Sequence, residues 1–380
     1  MSRWDALRRD AERIRAAAMR AADPAPRVRD ALRELPDGGG ALRVLGAGKA
    51  AANMAAAAEA ALGDRLDGGI VVVPEGHEVP LQRVEVRIGA HPVPDARSVA
   101  AGGALLAAAR AAAPGDRFVG LWSGGASALV EVPQPGWTLE AIARETDRRL
   151  RAGDDIATIN AARRTWSALK GGQLCRAGPG TWLNLVLFDV PGDDPALVGS
   201  GPAIGAGTRD VAVGSSADAL AGAEGEAFAL RYAVLVLDAE LRGEARDAGE
   251  RLARAVSALP APHPPMALLL AGEPVVSGVP AGARGGRMQE LALAAALALD
   301  GADAVVLALA TDGRDGNSDA TGALVDGGTA ERARAAGVDP AAALAAHASN
   351  GALAASGDLR WSGPTGPNVR DLVVALIPAS

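Results

Sequence analysis

Short runs of aliphatic and β-branched residues recur along this chain, and most end in a glycine loop that opens an alanine-rich helix. Residues 42–45, LRVL, run into GAGKAAANMAAAAEAAL, and RFVGLW at 117–122 runs into SGGASALV. Strands alternating with helices in this way predict a mainly parallel sheet with helices on both faces. The composition points the same way. Hydrophobic residues make up 49% of the chain but aromatics only 3%, so the core must be built from Ala, Val and Leu, which suits helices packed on parallel strands. A chain of 380 residues holds two domains of ordinary size.

The remaining bulk properties exclude classes. A net charge of -7 argues against nucleic acid as the main partner. Cys175 is the single cysteine, so no intramolecular disulfide forms and a reducing compartment is expected. The N-terminus is Arg-rich and amphipathic, but Asp5, Asp10 and Glu12 speak against a transit peptide. No uncharged apolar run reaches membrane-spanning length. We expect a soluble cytoplasmic protein.

In chain order the pattern predicts a surface helix over 3–21 and strands at 42–45, 69–73 and 85–88. A helix over 97–112, a strand at 117–122, helical structure throughout 138–175 and a strand at 181–188 come next. Strands at 211–213 and 233–237 alternate with helices from 215 and over 243–259. PAPHPP at 260–265 reads as a stiff, extended linker. Beyond it a strand at 267–270, paired with 273–279, precedes a glycine loop and helix. A strand at 304–310, further helices and a closing strand complete the chain. The expected domains are 1–262, larger and doubly wound, and 263–380, smaller and α/β.

Several loops carry chemistry. Ligands of open α/β sheets sit beyond the carboxyl ends of the strands, where this chain places two acidic groups. One is Asp189, Asp193 and Asp194; the other is Asp312, Asp315 and Asp319, with Asp326 beyond. Both suit a metal or a general base, and both also suit an ordinary turn. Asp315, Asn317, Asp319 and Asp326 follow the spacing of a calcium loop, but Ala320 stands where its glycine should be. At 46–51 a strand, glycine turn and helix N-terminus offer N–H groups and a positive dipole end to an anion. Lys49 sits there, and it and Lys170 are the only lysines among 38 basic residues. Arginine does not replace a compact point charge. Gly46-x-Gly48-x-x-Ala51 also fits a loose dinucleotide fingerprint, with Asp64 or Asp67 as the ribose acid. The loop is not a Walker A motif, because Arg43 and Ala50 break it. Ser127 lacks the nucleophile elbow of an α/β-hydrolase. Arg163 and Lys170, seven apart, are expected to share a helix face.

The ordered set GAGKA, HPVPD, SGGASALV, NAARRTWSALKGG, DVPGDDPALVGSGP, LRGEAR, AGEPVV, GGRMQELAL, TDGRDGNSDATGALVD and SGPTGPNV resembles the glycerate 2-kinase family. This is the two-domain type whose C-terminal part is called the MOFRL domain, some members of which are labelled hydroxypyruvate reductase. The set spans residues 46–370 in one order. It departs from the family pattern at Arg164 and Thr165, at Ala203, and at Pro274 and Val275. The resemblance implies ATP and Mg²⁺ as cofactors, D-glycerate as substrate, and an active site in the cleft between a Rossmann-like and a smaller α/β domain. It implies Lys49, Arg287 and Asp189 as catalytic residues. Ser123, Gly124, Gly125, Ser127, Arg163 and His91 would bind substrate. Gly46, Gly48, Glu273, Gly286, Asp312 and Asn368 would bind the nucleotide, and Asp189, Asp193 and Asp315 the metal. A homodimer is allowed. The rival readings are an NAD(P)H-dependent hydroxypyruvate reductase and a non-catalytic sugar or phosphosugar sensor.

Overall fold

The computed structural model describes residues 3–152, 156–260, 262–363 and 365–380. Ala261 of the PAPHPP run and Pro364 of the SGPTGPNV run lie outside the described residues. Helices α1 (Asp5–Ala21) and α2 (Pro24–Arg33) precede β1 (Leu42–Ala47), α3 (Ala51–Leu62), β2 (Gly68–Val73) and β3 (Val84–Ile88). Then come α4 (Ala96–Arg110), β4 (Arg117–Trp122), the one-turn α5 (Ala126–Leu129), α6 (Leu139–Arg151), α7 (Ile156–Trp166), β5 (Thr181–Leu187) and β6 (Arg209–Gly214). The chain continues through α8 (Ser216–Ala229), β7 (Ala233–Leu241), α9 (Ala245–Ser257), β8 (Met266–Gly272), α10 (Arg287–Ala298), β9 (Val305–Ala310) and β10 (Gly322–Asp326). It closes with α11 (Thr329–Ala335), α12 (Pro340–Ala345), α13 (Ser349–Ser356), β11 (Leu359–Arg360) and β12 (Asp371–Ile377). Among the described residues no helix is long and apolar enough to cross a membrane.

The first sheet is parallel throughout, in the order β3-β2-β1-β4-β5-β6. Its order reverses between β1 and β4, which is the switch point of a doubly wound sheet. One face buries Leu45, Val72, Trp122 and Val186 against Leu105 and Leu106 of α4. Phe118 and Trp182 stack at 4.6 Å between ring centroids within this core. The second sheet runs β11-β10-β9-β12-β8-β7. Only β7 and β8 pair in parallel; the other neighbours are antiparallel. β9 and β12 are buried at every position, and α10 is buried on all sides from Met288 to Ala296. Residues 273–279 form no strand beside β8; they make an isolated bridge from Val275 to Glu244.

The chain divides into two compact units, Asp23–Ser215 and Met1–Ala22 with Ser216–Ser380. The expected break at 262/263 therefore falls inside a unit. The reason is β7, which is the edge strand of the second sheet and hydrogen-bonds along β8. The two units are also nearly equal in size rather than large and small.

Helix α1 joins the second unit although it opens the chain. Its apolar stripe of Leu7, Ala11, Ile14 and Ala18 is buried. Gly222 of α8 lies so near α1 that a Cβ there would sit 2.7 Å from the Ala17 carbonyl oxygen. Charge fastens the same helix. Arg8 pairs with Asp326 and, at 2.9 Å, with Asp358, and both carboxylates also pair with Arg332 at 2.9 Å. Both aspartates are only 2% exposed. Asp326 is thus a structural anchor, not the last ligand of a calcium loop. Breaking a buried ion network by removing one partner is strongly destabilising. Arg8→Ala should lower the unfolding free energy by roughly 2–4 kcal/mol, read as a lowered urea midpoint. An unchanged midpoint would show that the network does not hold α1.

Candidate active site

The carboxyl ends of β1 and β4 carry two glycine turns pressed together. A Cβ at Gly46 would lie 2.4 Å from the Leu121 carbonyl oxygen, and one at Gly48, whose φ is +136°, would lie 2.1 Å from Ser123 Oγ. The turns are also hydrogen-bonded to each other. The Lys49 N–H donates to the Gly124 carbonyl at 2.9 Å, and the Ala50 N–H donates to Ser123 Oγ at 3.1 Å. Gly125, with φ +86°, leads into α5; a Cβ there would meet the His91 ring at 3.1 Å and the Lys49 side chain at 3.5 Å. Lys49, His91, Ser123, Gly124 and Gly125 are therefore brought together. The N–H groups of Gly48, Lys49, Ala50 and Ala51 are all bonded within the fold, so an anion at this turn would be met by the Lys49 charge rather than by the first turn of α3.

Next to these turns lies a cavity of about 470 Å³ lined by His91, Gly125, Ser127, Glu131, Arg163 and Lys170, among others. Lys170 Nζ is 2.5 Å from Glu131 Oε2, and the two side chains are 2% and 1% exposed. Burial pushes the Lys170 amine down, and the Glu131 charge pulls it back. The Arg163 guanidinium makes no hydrogen bond or ion pair among the described residues. Burial lowers its pKa, and Glu131 holds it up. Two cations, Arg163 and Lys170, thus lie near the Glu131 carboxylate, and Asp147 lines the same cavity. Ser127 Oγ contacts Ser200 Oγ at 3.1 Å, and Ser200 in turn donates to Asn160 at 3.0 Å. Ser127 is held by other polar side chains rather than by a base.

Lys170 reaches this cavity by a different route from the one the spacing implies. The helical reading of 138–175 fails beyond Trp166, where α7 ends. Gly171 and Gly172 follow with φ of +64° and +74°, a left-handed pair that no helix continues through. Arg163 and Lys170 thus share the cavity but not a helix face. Asp189 follows β5 half-buried, and Asp193 is exposed after Gly192, in a turn where both have positive φ. Asp194 accepts the Ala196 N–H at 2.8 Å, a turn-forming role. Asp64 and Asp67 lie ahead of β2, at the amino ends of the parallel strands. Asp67 accepts the Leu42 N–H at the start of β1, and Asp64 pairs with Arg83.

The second unit gathers its own group at one end of its sheet, where Asp371 of β12 stands opposite Gly272 and Ala310. Arg287 opens α10 and grips Asp371 with two nitrogens, while reaching Glu273 at 3.1 Å. Burial opposes the arginine's charge, but Asp371 and Glu273 outweigh it and raise its pKa. Gly286 is the N-cap of α10. Asp312 is half-buried and accepts the Arg314 N–H at 3.1 Å, and Asn368 is buried. Asp315, expected as a metal ligand, does something else. It is 1% exposed and accepts the Met288 and Gln289 N–H groups at 3.1 and 2.8 Å, which ties down the first turn of α10. Its oxygens are spent on that helix, so we count it as positioning Arg287 one residue away. Asp319 pairs at the surface with Arg284. Among the described residues no three His, Cys, Asp or Glu side chains converge on a metal position.

Two residues of this chemistry escaped the sequence reading. Glu131 follows the SGGASALV run directly, and a carboxylate in so apolar a stretch was the available signal. Asp371 opens an unbroken apolar strand and gave the same kind of signal.

Comparison with known proteins decides the family. Residues 10–220 match a domain of unknown function, DUF4147, and residues 266–371 match the MOFRL family. A D-glycerate 2-kinase from Thermotoga maritima is 35% identical over 372 residues, 87% of this chain and 89% of its own. The chain belongs to the glycerate 2-kinase family. The crystal structure of a family member, glycerate kinase from Thermotoga maritima, matches with a TM-score of 0.86 at 32% identity, covering 98% of this chain and 100% of that one. A relative from Agrobacterium vitis, named as a hydroxypyruvate reductase, is 38% identical over 410 residues, 96% of this chain and 93% of its own. Both labels noted for the family thus occur among the relatives of this chain.

The buried pair in the cavity wall supports a stability test. Lys170→Met leaves the Glu131 carboxylate desolvated and should cost about 3–5 kcal/mol, whereas Lys170→Met with Glu131→Leu should recover most of it. Chemical denaturation of the three proteins reads this directly, and equal losses in the single and double variants would contradict it.

Proposed function

We propose that this protein transfers the γ-phosphoryl group of ATP to the 2-hydroxyl of D-glycerate, or a close small hydroxy acid, giving 2-phosphoglycerate. The observation that carries the reading is Lys49 between two interlocked glycine turns at the sheet's switch point, beside a cavity whose wall holds Arg163. Phosphoryl transfer asks mainly for positioning and for cations around the transferred group. Lys49 supplies a point charge at the turn where phosphate oxygens are accommodated. Arg163, in the cavity wall, suits the acceptor's carboxylate, and the backbone of Ser123, Gly124 and Gly125 suits the same acid. Arg287 is the second cation, kept charged and aimed by Asp371 and Glu273. Asp189 and Asp193 would hold Mg²⁺, which neutralises phosphate charge when bound. In this reading Asp189, half-buried after β5, would also take up the hydroxyl proton.

The relatives named as glycerate kinases support this reading. The reductase alternative needs an acid at the carboxyl end of β2 for the ribose, and Asp64 and Asp67 stand at the other end of the sheet. A cytoplasmic setting, where ATP is plentiful, accords with a single cysteine.

Lys49→Ala should leave the melting temperature within a few degrees of wild type and lower kcat on the order of a hundredfold, the size typical of a lost transition-state charge contact. ADP release with D-glycerate measures it, beside NADH oxidation with hydroxypyruvate as the competing activity. NADH oxidation without ADP release would replace the kinase reading. Excess EDTA should abolish ADP release and added Mg²⁺ or Mn²⁺ restore it. Turnover that persists in EDTA would remove the metal from the scheme.

A further inference from the structure

Arg370 directly precedes Asp371, the carboxylate that grips Arg287, and its backbone is bent. Its φ is +69°, in the left-handed region, which is unfavourable for a residue carrying a side chain. Such a bend persists only where its neighbours over-determine it, and Arg370 is held at both ends. Its carbonyl accepts from the Thr311 N–H at 3.1 Å and from Thr311 Oγ1 at 2.5 Å. Its side chain is only 4% exposed and meets the two oxygens of Glu240 at 2.8 and 2.9 Å. A third hydrogen bond runs to Ser216 Oγ at 2.7 Å. Glu240 belongs to β7 and Ser216 opens α8, so the guanidinium reaches from the start of β12 across β8 to the edge strand of the sheet. Its bonds hold the Glu240 carboxyl below the ordinary range, and the pair stays ionised around neutral pH.

The bend lies where the chain changes course. Before it, the loop is fastened to Thr311: the Val369 N–H donates to Thr311 Oγ1 at 2.9 Å, and Thr365 Oγ1 donates to the Thr311 carbonyl. After it, β12 is buried at every position, and Asp371 is its first paired residue. Arg370 is the single residue between loop and strand. We propose that the Arg370–Glu240 clamp is a positioning device for Arg287: it offsets the cost of the left-handed bend, and the bend presents Asp371 to the arginine. This rests on the kinase reading above, in which Arg287 is the second cation.

Glycine adopts a positive φ without penalty, so two substitutions separate bend from clamp. Arg370→Ala and Arg370→Gly both lose the clamp, and only glycine keeps the bend at no cost. ADP release with D-glycerate is assayed well below every variant's melting temperature, so that kcat reads folded enzyme. Arg370→Ala should lower kcat at least about tenfold, as misplaced catalytic groups do, whereas Arg370→Gly should stay within about threefold of wild type. Equal kcat for the two variants, whether both low or both unchanged, overturns the proposal. If Arg370→Ala does not fold, the half-exposed partner carries the test: Glu240→Gln should lower kcat, and adding Arg370→Gly should restore it. A loss that glycine does not restore, or no loss, overturns the clamp. If the wild-type enzyme releases no ADP, the kinase reading fails, and the positioning is read on Arg287 itself. Its Nε–H proton, assigned by its loss in Arg287→Lys, should exchange slowly with water in wild type and Arg370→Gly and rapidly in Arg370→Ala or Glu240→Gln. Equal protection in all of them overturns the proposal.

Discussion

Two turns of backbone touching at the ends of β1 and β4 set the geometry of the first unit's site. Gly48 and Ser123 leave no room for even one added carbon between them, and the Lys49 and Ala50 N–H groups are used to hold the turns in register. Each such hydrogen bond contributes on the order of 1 kcal/mol, but together they leave the Lys49 main chain nothing to rotate about. A flexible four-carbon stem then starts from a fixed point. A point charge on such a stem can follow a moving phosphoryl group, where a planar fork with fixed donors could not.

The second unit solves the same problem with different means. Arg287 is held by its own counter-charges, with Asp371 gripping it from the strand end and Asp315 fastening the helix it opens. A buried carboxylate beside a guanidinium is costly to desolvate, and burial pushes Asp371 up to about 7 even against the arginine. Such an arrangement does little for stability by itself. What it does secure is the direction of the arginine's fork, since its two nitrogens on one carboxylate leave the rest of the group pointing one way.

Much of the fold was legible because buried strands write themselves as unbroken apolar runs. VVLALA and DLVVALI could be marked as strands on that ground alone. Their direction could not: a strand covered on both faces looks the same whether its neighbour runs parallel or antiparallel, so the mixed second sheet was hidden. The period of α1 announced one buried face but not the surface that covers it. Rarity singled out Lys170, yet its partner Glu131 lies 39 residues away, and only the fold joins them. Asp315 could be seen as an acid after a strand. That it ties down Gln289 in the first turn of α10, 26 residues earlier, is a fact of packing, which no local pattern carries. The end of α7 was legible and misread, because the Gly171-Gly172 pair is itself a stop signal.

The burial of α1 in the second unit has a consequence for how the chain comes into being. The unit Asp23–Ser215 is continuous in sequence, and its parallel sheet is complete once β6 has been made. The other unit is interrupted: α1 leaves the ribosome well before α8, against which it packs, and before the carboxylates that pair with Arg8. Until Asp326 and Asp358 exist, Arg8 lacks the two carboxylates it pairs with. A long stretch of translation thus passes before the charges that fasten this amphipathic helix are in place.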